Sequence, residues 1–348
     1  ALRLAREGHR VELIEAASDV GGLAGTMTIG DTTWDRFYHV VLLSDLHTRR
    51  LLDDLGLADR LRWGTTKTGF YTDGRMHSMS NAIEFLRFEP LGLLDKLRLG
   101  GTIFLASRIR RPEPLERQLA TDWLRRWSGK RVVEKIWMPL LRSKLGANAT
   151  EASAAFIWAI IARLYAARRS GLKEEKFGYI DGGYACVNDA LRKALEAAGV
   201  SLRFGSPVQS IERHATAAHP FRISLTNGEQ TEADRVVSTL APALTARVVP
   251  DLSAAERARL TGVTYQGIIC AAVRLKRGLS PYYVINITDR WVPFTGVIEM
   301  TALVDRDRFG GDSLVYLPLY LPQRAEAWDW SDEQIRERFL AAVMRMQP

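Results

Sequence analysis

A carboxylate followed closely by three glycines is the feature of this sequence that most clearly suits ligand binding. Glu15 ends the short apolar segment HRVELIE, and Gly21, Gly22 and Gly25 follow in AASDVGGLAGT. At the end of a strand in a dinucleotide-binding unit, such a carboxylate accepts hydrogen bonds from the adenosine ribose hydroxyls. Glycines allow the backbone to approach a ligand closely. The segment therefore predicts part of a dinucleotide site; the alternative is a solvated carboxylate followed by an ordinary turn.

A helix and a strand must position these residues. Residues 1–7 mix Leu and Ala with charged residues, as the end of an amphipathic helix does, and Gly8 can end that helix in a left-handed turn. Residues 11–14 carry Val, Leu and Ile, which predicts a parallel strand buried on both faces. Later in the chain, a second helix is predicted at 185–198, and strands follow it within 200–213.

The segment from Glu15 to Thr26 resembles the second FAD motif of the flavin-containing amine oxidase superfamily, which includes protoporphyrinogen oxidases, carotenoid-type desaturases and monoamine oxidases. Val208 matches the first valine of the superfamily's V-x-x-I strand, which contacts adenine through its backbone. The run RVVSTLAPAL, whose first part we predict as a strand over 232–238, resembles the strand that ends beside the flavin. The resemblance implies FAD as the cofactor, with the binding residues Glu15, Gly21, Gly22, Leu23, Gly25, Thr26, Val208, Ser238, Thr239, Leu240 and Ala241.

The resemblance also implies a mixed α/β (α+β) fold, in which a Rossmann-like, GR2-type FAD-binding domain carries an inserted substrate domain of helices and an antiparallel sheet. We predict the FAD-binding domain at 1–80 and 176–250, and the substrate domain at 81–175 and 251–348. The glycine turn GxGxxG occurs nowhere in the 348 residues, and the family's Gly-rich C-terminal FAD segment is also missing. We therefore expect a fragment of a longer protein that binds FAD weakly or not at all and is inactive alone.

Composition excludes several other classes. The chain is 47% hydrophobic and 25% charged, which is typical of a globular protein, and its length suggests two domains. No run reaches the roughly 18 apolar residues that a membrane span needs. Cys186 and Cys270 lie far apart without a CxxC pair, so a disulfide framework, a metal site and a redox dithiol are all unsupported. We expect a cytoplasmic protein.

The net charge of +8, from 48 Lys and Arg against 40 Asp and Glu, is partly clustered. Arg108, Arg110 and Arg111 border the apolar run 99–109. An apolar helix with a basic end can rest on an anionic membrane surface, or it can be a core helix with a solvated end. We predict peripheral membrane contact, on the cytoplasmic face, through residues 86–111. No nucleic-acid-binding motif accompanies the charge.

Catalytic residues are not apparent from the sequence, and the candidate is His39 in the segment WDRFYHV. This histidine can shuttle a proton near the flavin, or it can be a buried, hydrogen-bonded side chain in a strand. From residue 265 onward, alternating segments predict an antiparallel substrate sheet. The predicted substrate-facing residues on it are Tyr283, Asn286, Trp291 and Glu299.

The resemblance implies an FAD-dependent oxidoreductase, either an oxidase or a desaturase, that removes a hydride from a C–N or C–C bond of an apolar or amine small molecule. In such enzymes the flavin carries the difficult chemical step, while the protein positions the substrate. Three alternatives stay open at this point. They are a redox-neutral flavoenzyme resembling UDP-galactopyranose mutase, a non-catalytic degenerate homologue, and an NAD(P)-dependent dehydrogenase. The oligomeric state is not predicted.

Overall fold

The structure is a computed structural model that describes residues 1–80, 82–168, 176–214 and 218–346. Helices and strands alternate irregularly along the chain. The helices are α1 (Leu2–Arg6), α2 (Leu46–Asp54), α3 (Ala82–Arg87), α4 (Leu93–Arg108), α5 (Glu113–Glu116), α6 (Ala120–Ser128), α7 (Lys130–Val132), α8 (Met138–Leu145), α9 (Ala154–Arg168), α10 (Gly183–Ala197), α11 (Pro242–Val248), α12 (Ala254–Thr261) and α13 (Asp332–Met346). The strands are β1 (Glu12–Ile14), β2 (Thr26–Ile29), β3 (Thr32–Asp35), β4 (Leu61–Thr65), β5 (Thr68–Thr72), β6 (Arg75–Ser78), β7 (Lys176–Ile180), β8 (Ser201–Arg203), β9 (Val208–Arg213), β10 (Phe221–Leu225), β11 (Gln230–Ala233), β12 (Gln266–Leu275), β13 (Val284–Ile287), β14 (Gly296–Glu299) and β15 (Ser313–Pro322).

The chain forms two compact units. The smaller unit contains Ala1–Gly25 and Tyr184–Tyr265, and the larger unit contains Thr26–Gly183 and Gln266–Pro348. This division differs from the predicted domains, because residues 26–80 and 176–183 join the larger unit and residues 251–265 join the smaller one. Strands β5 and β6, within residues 26–80, belong to the six-stranded sheet of the larger unit. The assignment of FAD binding and substrate binding to separate domains stays a prediction, and residues 169–175 of its boundary lie outside the described residues.

In the smaller unit, β1 pairs in parallel with β8, and β9, β10 and β11 form an antiparallel sheet. Leu13 and Ile14 are only half-buried, so the prediction of a strand buried on both faces is wrong. The reason is that, among the described strands, β1 has β8 as its one partner. The strand predicted at 232–238 is also wrong beyond Ala233, because the register of β11 with β10 ends there.

In the larger unit, six strands follow the order β12, β15, β14, β13, β5, β6. All neighbours are antiparallel except β13 and β5, which run parallel. The predicted antiparallel arrangement of the C-terminal strands is therefore confirmed. Successive side chains of β15 point to opposite faces of the sheet and join two different cores. Val315 and Leu317 pack with α13 on one face, whereas Leu314 and Tyr316 pack in the core on the other face.

The helices α3 to α9 form a third core in the larger unit, as the predicted helical region required. Within it, Trp137 Nε1 donates to Ser128 Oγ at 2.9 Å, and Ser128 Oγ lies 2.8 Å from Thr102 Oγ1. Pro139 lies in the first turn of α8, which directly follows a π-helical turn over Val133–Trp137.

Short turns that contain glycine connect the strands of several hairpins. Asp73 and Gly74, with φ of 51° and 73°, join β5 to β6. Gly30 (φ 63°) and Gly228 (φ 86°) lie in the turns of the β2–β3 and β10–β11 hairpins. Within the described residues, every helix is too short or too polar to cross a bilayer.

Candidate functional site

Local backbone bonds hold Glu15 at the end of β1 in the smaller unit. Its N–H donates to the Arg203 carbonyl at 2.8 Å, and its carbonyl accepts from Ser206 N–H at 2.9 Å. Its carboxylate Oε1 accepts from Ala17 N–H at 2.8 Å. Among the described residues, no hydrogen bond engages the other carboxylate oxygen, Oε2. Glu15 is therefore fixed at the strand end with one oxygen available to a ligand hydroxyl.

The glycine loop that follows is constrained by α10. Gly21 has φ 113°, and a Cβ placed on it would lie 2.7 Å from Asn188 Nδ2 and 3.0 Å from the Gly25 Cα. Asn188 Nδ2 donates to the Ala24 carbonyl at 3.0 Å, which ties the loop to the helix. Gly22, with φ 52°, has open space beside its Cα. The loop thus presents backbone without side chains at its glycines. The sequence did not predict a role for Asn188, because its partner Ala24 lies 164 residues away along the chain.

The remaining predicted cofactor residues fall into three places. Val208, at the start of β9, and Ile14 of β1 both pack against the core of the smaller unit. Ser238 lies in a segment without regular structure, and its Oγ lies 2.7 Å from Oγ1 of Thr245 on α11. Leu23 and Leu240 expose 75% and 43% of their surface, which is unusual for leucine. Thr239 and Ala241 flank Leu240 ahead of α11, and Thr26 begins β2 of the larger unit.

The smaller unit fits the adenosine half of a dinucleotide. A strand-end carboxylate with a free oxygen lies next to a loop in which a side chain at Gly21 would collide with backbone and with Asn188. A ligand phosphate or ribose needs such bare, preorganised backbone. The roles of these residues in binding FAD stay predictions.

In the larger unit, two tyrosines and a lysine from separate elements converge. Tyr38 Oη lies 2.7 Å from Tyr320 Oη, and Lys144 Nζ lies 3.4 Å from Tyr38 Oη. The Lys144 ammonium also lies 5.6 Å and 5.3 Å from the two ring centroids. We call Tyr38, Lys144 and Tyr320 the tyrosine–lysine cluster. The three residues come from the segment after β3, from α8 and from β15, and we did not predict them from the sequence.

Burial sets the protonation states of this cluster. It raises the pKa of Tyr38 and of Tyr320 above the ordinary value, so both remain phenols. Desolvation lowers the pKa of Lys144, although the side chain as a whole is exposed. Nearby, burial raises the pKa of Cys270 to about 12, so this residue remains a thiol.

His39 lies beside the buried Asp35, with Nδ1 at 3.9 Å from Asp35 Oδ2. Burial lowers the pKa of His39, and a backbone hydrogen bond at Phe37 opposes that shift. The imidazole is therefore neutral near pH 7. Asp35 is held in place, because its carbonyl accepts from Tyr316 Oη at 2.6 Å and its carboxylate lies against Gly183, where a Cβ would come within 2.8 Å.

The side chains of the four predicted substrate residues lie in different surroundings, although Glu299 N–H donates to the Tyr283 carbonyl at 2.9 Å. Tyr283 packs against Phe177 with ring centroids 5.3 Å apart, on the same sheet face as Tyr316. Trp291 packs in the core on the opposite face. Glu299 is buried, and its carboxylate accepts from Leu279 N–H at 2.8 Å and from Thr301 Oγ1 at 2.7 Å. Asn286 lies on β13 opposite Phe70 of β5. Their roles in substrate binding stay predictions.

Comparisons with known proteins agree with this architecture. The sequence model of the family described as flavin containing amine oxidoreductase matches residues 1–348. No curated protein sequence matches the chain. A structure from Exiguobacterium sp. 255-15, assigned as a protoporphyrinogen oxidase, is similar with a TM-score of 0.76 at 18% identity, over 99% of this chain and 79% of that one.

Two further structures share the fold. Putrescine oxidase bound to putrescine is similar with a TM-score of 0.70 at 18% identity, over 99% of this chain and 77% of that one. Reduced UDP-galactopyranose mutase is similar with a TM-score of 0.73 at 15% identity, over 99% of this chain and 76% of that one. At these identities, the similarity shows the fold alone.

Proposed function

The chain belongs to the flavin containing amine oxidoreductase family, and we propose that it is an FAD-dependent oxidase that removes a hydride from a C–N or C–C bond of an apolar or amine substrate. The observation that carries the proposal is the tyrosine–lysine cluster. It combines two aromatic faces with an amine whose pKa burial lowers.

FAD as the flavin is supported by Glu15 and the glycine loop. The free oxygen of the Glu15 carboxylate suits a ribose hydroxyl, which the adenosine part of FAD supplies. Asn188 holds the loop backbone in place through its bond to the Ala24 carbonyl. When bound, a flavin accepts a hydride at its N5 atom, and the surrounding protein positions the substrate.

The tyrosine–lysine cluster supplies the protein's part of the reaction. The Tyr38 and Tyr320 rings offer apolar faces to a substrate, and their hydroxyls remain protonated donors. Desolvation lowers the pKa of Lys144, and the neutral fraction of this amine, which grows as the pH rises, would accept a proton at Nζ from a substrate ammonium and leave the free amine that can lose a hydride. For a substrate oxidised at a C–C bond, the same rings provide the binding surface.

Two substrates test the proposal with air as the sole oxidant. Putrescine probes oxidation at C–N, and protoporphyrinogen probes oxidation at C–C. In the longer protein expected from the sequence, we predict flavin absorbance after purification, release of FAD on denaturation, and hydrogen peroxide formation with one of the two substrates. Turnover of UDP-galactopyranose by the chemically reduced protein, without peroxide from either substrate, contradicts the proposal and favours the redox-neutral reaction.

Lys144→Met tests the proton transfer. For an amine substrate we expect kcat/KM to fall by about a hundredfold, a typical contribution of a positioned base, and its rise with pH to disappear. Lys135→Met is the matched control, because Lys135 forms an exposed ion pair with Asp73 at 3.0 Å on the same unit. Equal pH profiles for the wild type and Lys144→Met contradict the assigned role of Lys144.

A further inference from the structure

Helix α4 carries apolar residues on two opposite sides. Leu99 and Ala106 lie on its buried side, where they join the core of the helical region. Leu93, Leu97 and Phe104 lie on the other side at helical spacing, and they expose 70%, 65% and 53% of their surface. A globular helix normally presents polar residues to solvent. The outer side of α4 therefore exposes apolar residues where a globular helix normally exposes polar ones.

Helix α3 extends this apolar side of α4. Leu86 exposes 59% of its surface, and it lines a shallow groove together with Leu93, Leu97 and Phe104. Gly100 and Gly101 also line the groove. We define the α3–α4 surface as the exposed apolar residues Ile83, Leu86, Leu93, Leu94, Leu97 and Phe104.

Basic residues border the α3–α4 surface. The Arg108 guanidinium lies 4.8 Å from the Phe104 ring centroid, and Lys96 Nζ donates to the Leu86 carbonyl at 2.6 Å. Three further exposed arginines lie at the ends of the two helices, namely Arg87, Arg110 and Arg111.

The acidic residues of the same segment are mostly engaged elsewhere. Asp95 lies 3.5 Å from Arg131, and Glu84 Oε2 accepts from Ser78 and Ser80. Glu89 is the exposed carboxylate that remains between α3 and α4. The apolar surface is thus bordered by an excess of positive charge.

We propose that the α3–α4 surface docks on a membrane that contains anionic lipids. The leucines and Phe104 enter the boundary between headgroups and acyl chains, while the arginines keep their guanidinium groups at the lipid phosphates. With this surface docked, α4 would lie in the plane of the membrane surface. The positive border selects an anionic lipid surface over an uncharged apolar partner.

Vesicle cosedimentation of the full chain tests the docking. We expect binding to phosphatidylcholine vesicles that contain phosphatidylserine, and much weaker binding to phosphatidylcholine alone. The double variant Leu97→Ser with Phe104→Ser removes two exposed apolar side chains and should weaken binding by at least about tenfold. Met344→Ser is the matched control, because Met344 on α13 exposes 73% of its surface and lies outside the α3–α4 surface.

A second double variant tests the contribution of the arginines to membrane binding. Arg110→Gln with Arg111→Gln should weaken binding to the anionic vesicles by about fivefold per charge, and should leave binding to neutral vesicles unchanged. Both double variants change exposed residues, so circular dichroism should match the wild type.

Three results overturn the proposal. The first is the same binding to both kinds of vesicle, or to neither. The second is unchanged binding of the Leu97 and Phe104 double variant. The third is a dimer of the wild type, seen by sedimentation velocity, that this double variant abolishes, because the surface then contacts a second copy of the chain. Docking does not depend on the flavin reaction, so its failure leaves the proposed function standing.

Discussion

Replacing Gly21 with alanine should damage the candidate FAD site far more than the same change at Gly22. The two glycines are neighbours, but their backbones and surroundings differ. Gly21 has φ 113°, outside the conformations that alanine adopts, and its added Cβ meets Asn188 Nδ2 at 2.7 Å. Gly22 has φ 52°, in the left-handed helical region, with nothing within 4 Å of the added Cβ.

The magnitudes follow from these contacts. Alanine at Gly22 costs about 1 kcal/mol of stability, the usual cost of the left-handed conformation. At Gly21 the backbone strain costs about 1–3 kcal/mol. Displacement of the Asn188 amide from the Ala24 carbonyl adds about 1 kcal/mol. We therefore expect Gly21→Ala to lower the free energy of unfolding by about 2–4 kcal/mol.

Urea unfolding followed by far-UV circular dichroism measures this difference. Every tryptophan lies outside residues 1–25 and 184–265, so tryptophan fluorescence in the same samples reports on the larger unit. The FAD content of each purified variant should fall in the same order as its stability. If Gly21→Ala and Gly22→Ala unfold at the same urea concentration, the conformation assigned to the loop is wrong.

Three further predictions concern single side chains. Glu15→Ala should weaken FAD binding at least about tenfold, because it removes one or two charge-assisted hydrogen bonds to the ribose; unchanged affinity in a flavin fluorescence titration rules this role out. Ser128→Ala should destabilise the protein by about 1–3 kcal/mol, because it leaves Trp137 Nε1 and Thr102 Oγ1 without their buried partner; a stability equal to that of the wild type in urea contradicts this. Burial lowers the pKa of His39, so the unfolded chain binds this proton more readily, and stability should fall as the pH drops below about 6.5. His39→Gln should reduce that pH dependence, whereas an unchanged dependence excludes His39 as its source.

Local features of the fold followed from the sequence. The Asp73–Gly74 and Asn227–Gly228 turns depend on residues that tolerate positive φ, and each acts over a few positions. Glu15 and the glycine loop were predicted for the same reason, since strand, carboxylate and glycines follow one another directly. The strand predicted at 232–238 failed past Ala233 because a strand needs a partner, which no local pattern supplies.

The sequence alone indicated the family and the antiparallel C-terminal strands, and it predicts which segment suits a dinucleotide. The tertiary structure decided which side chains meet. Tyr38 and Tyr320 are 282 residues apart, and Lys144 is 106 residues from Tyr38, so no spacing rule connects them. The sequence also did not determine whether the outward side of α4 is exposed, because the sequence of an apolar helix is similar whether one side or both sides are buried. Periodicity fixes which residues share a face, whereas the packing of the whole chain determines what that face contacts.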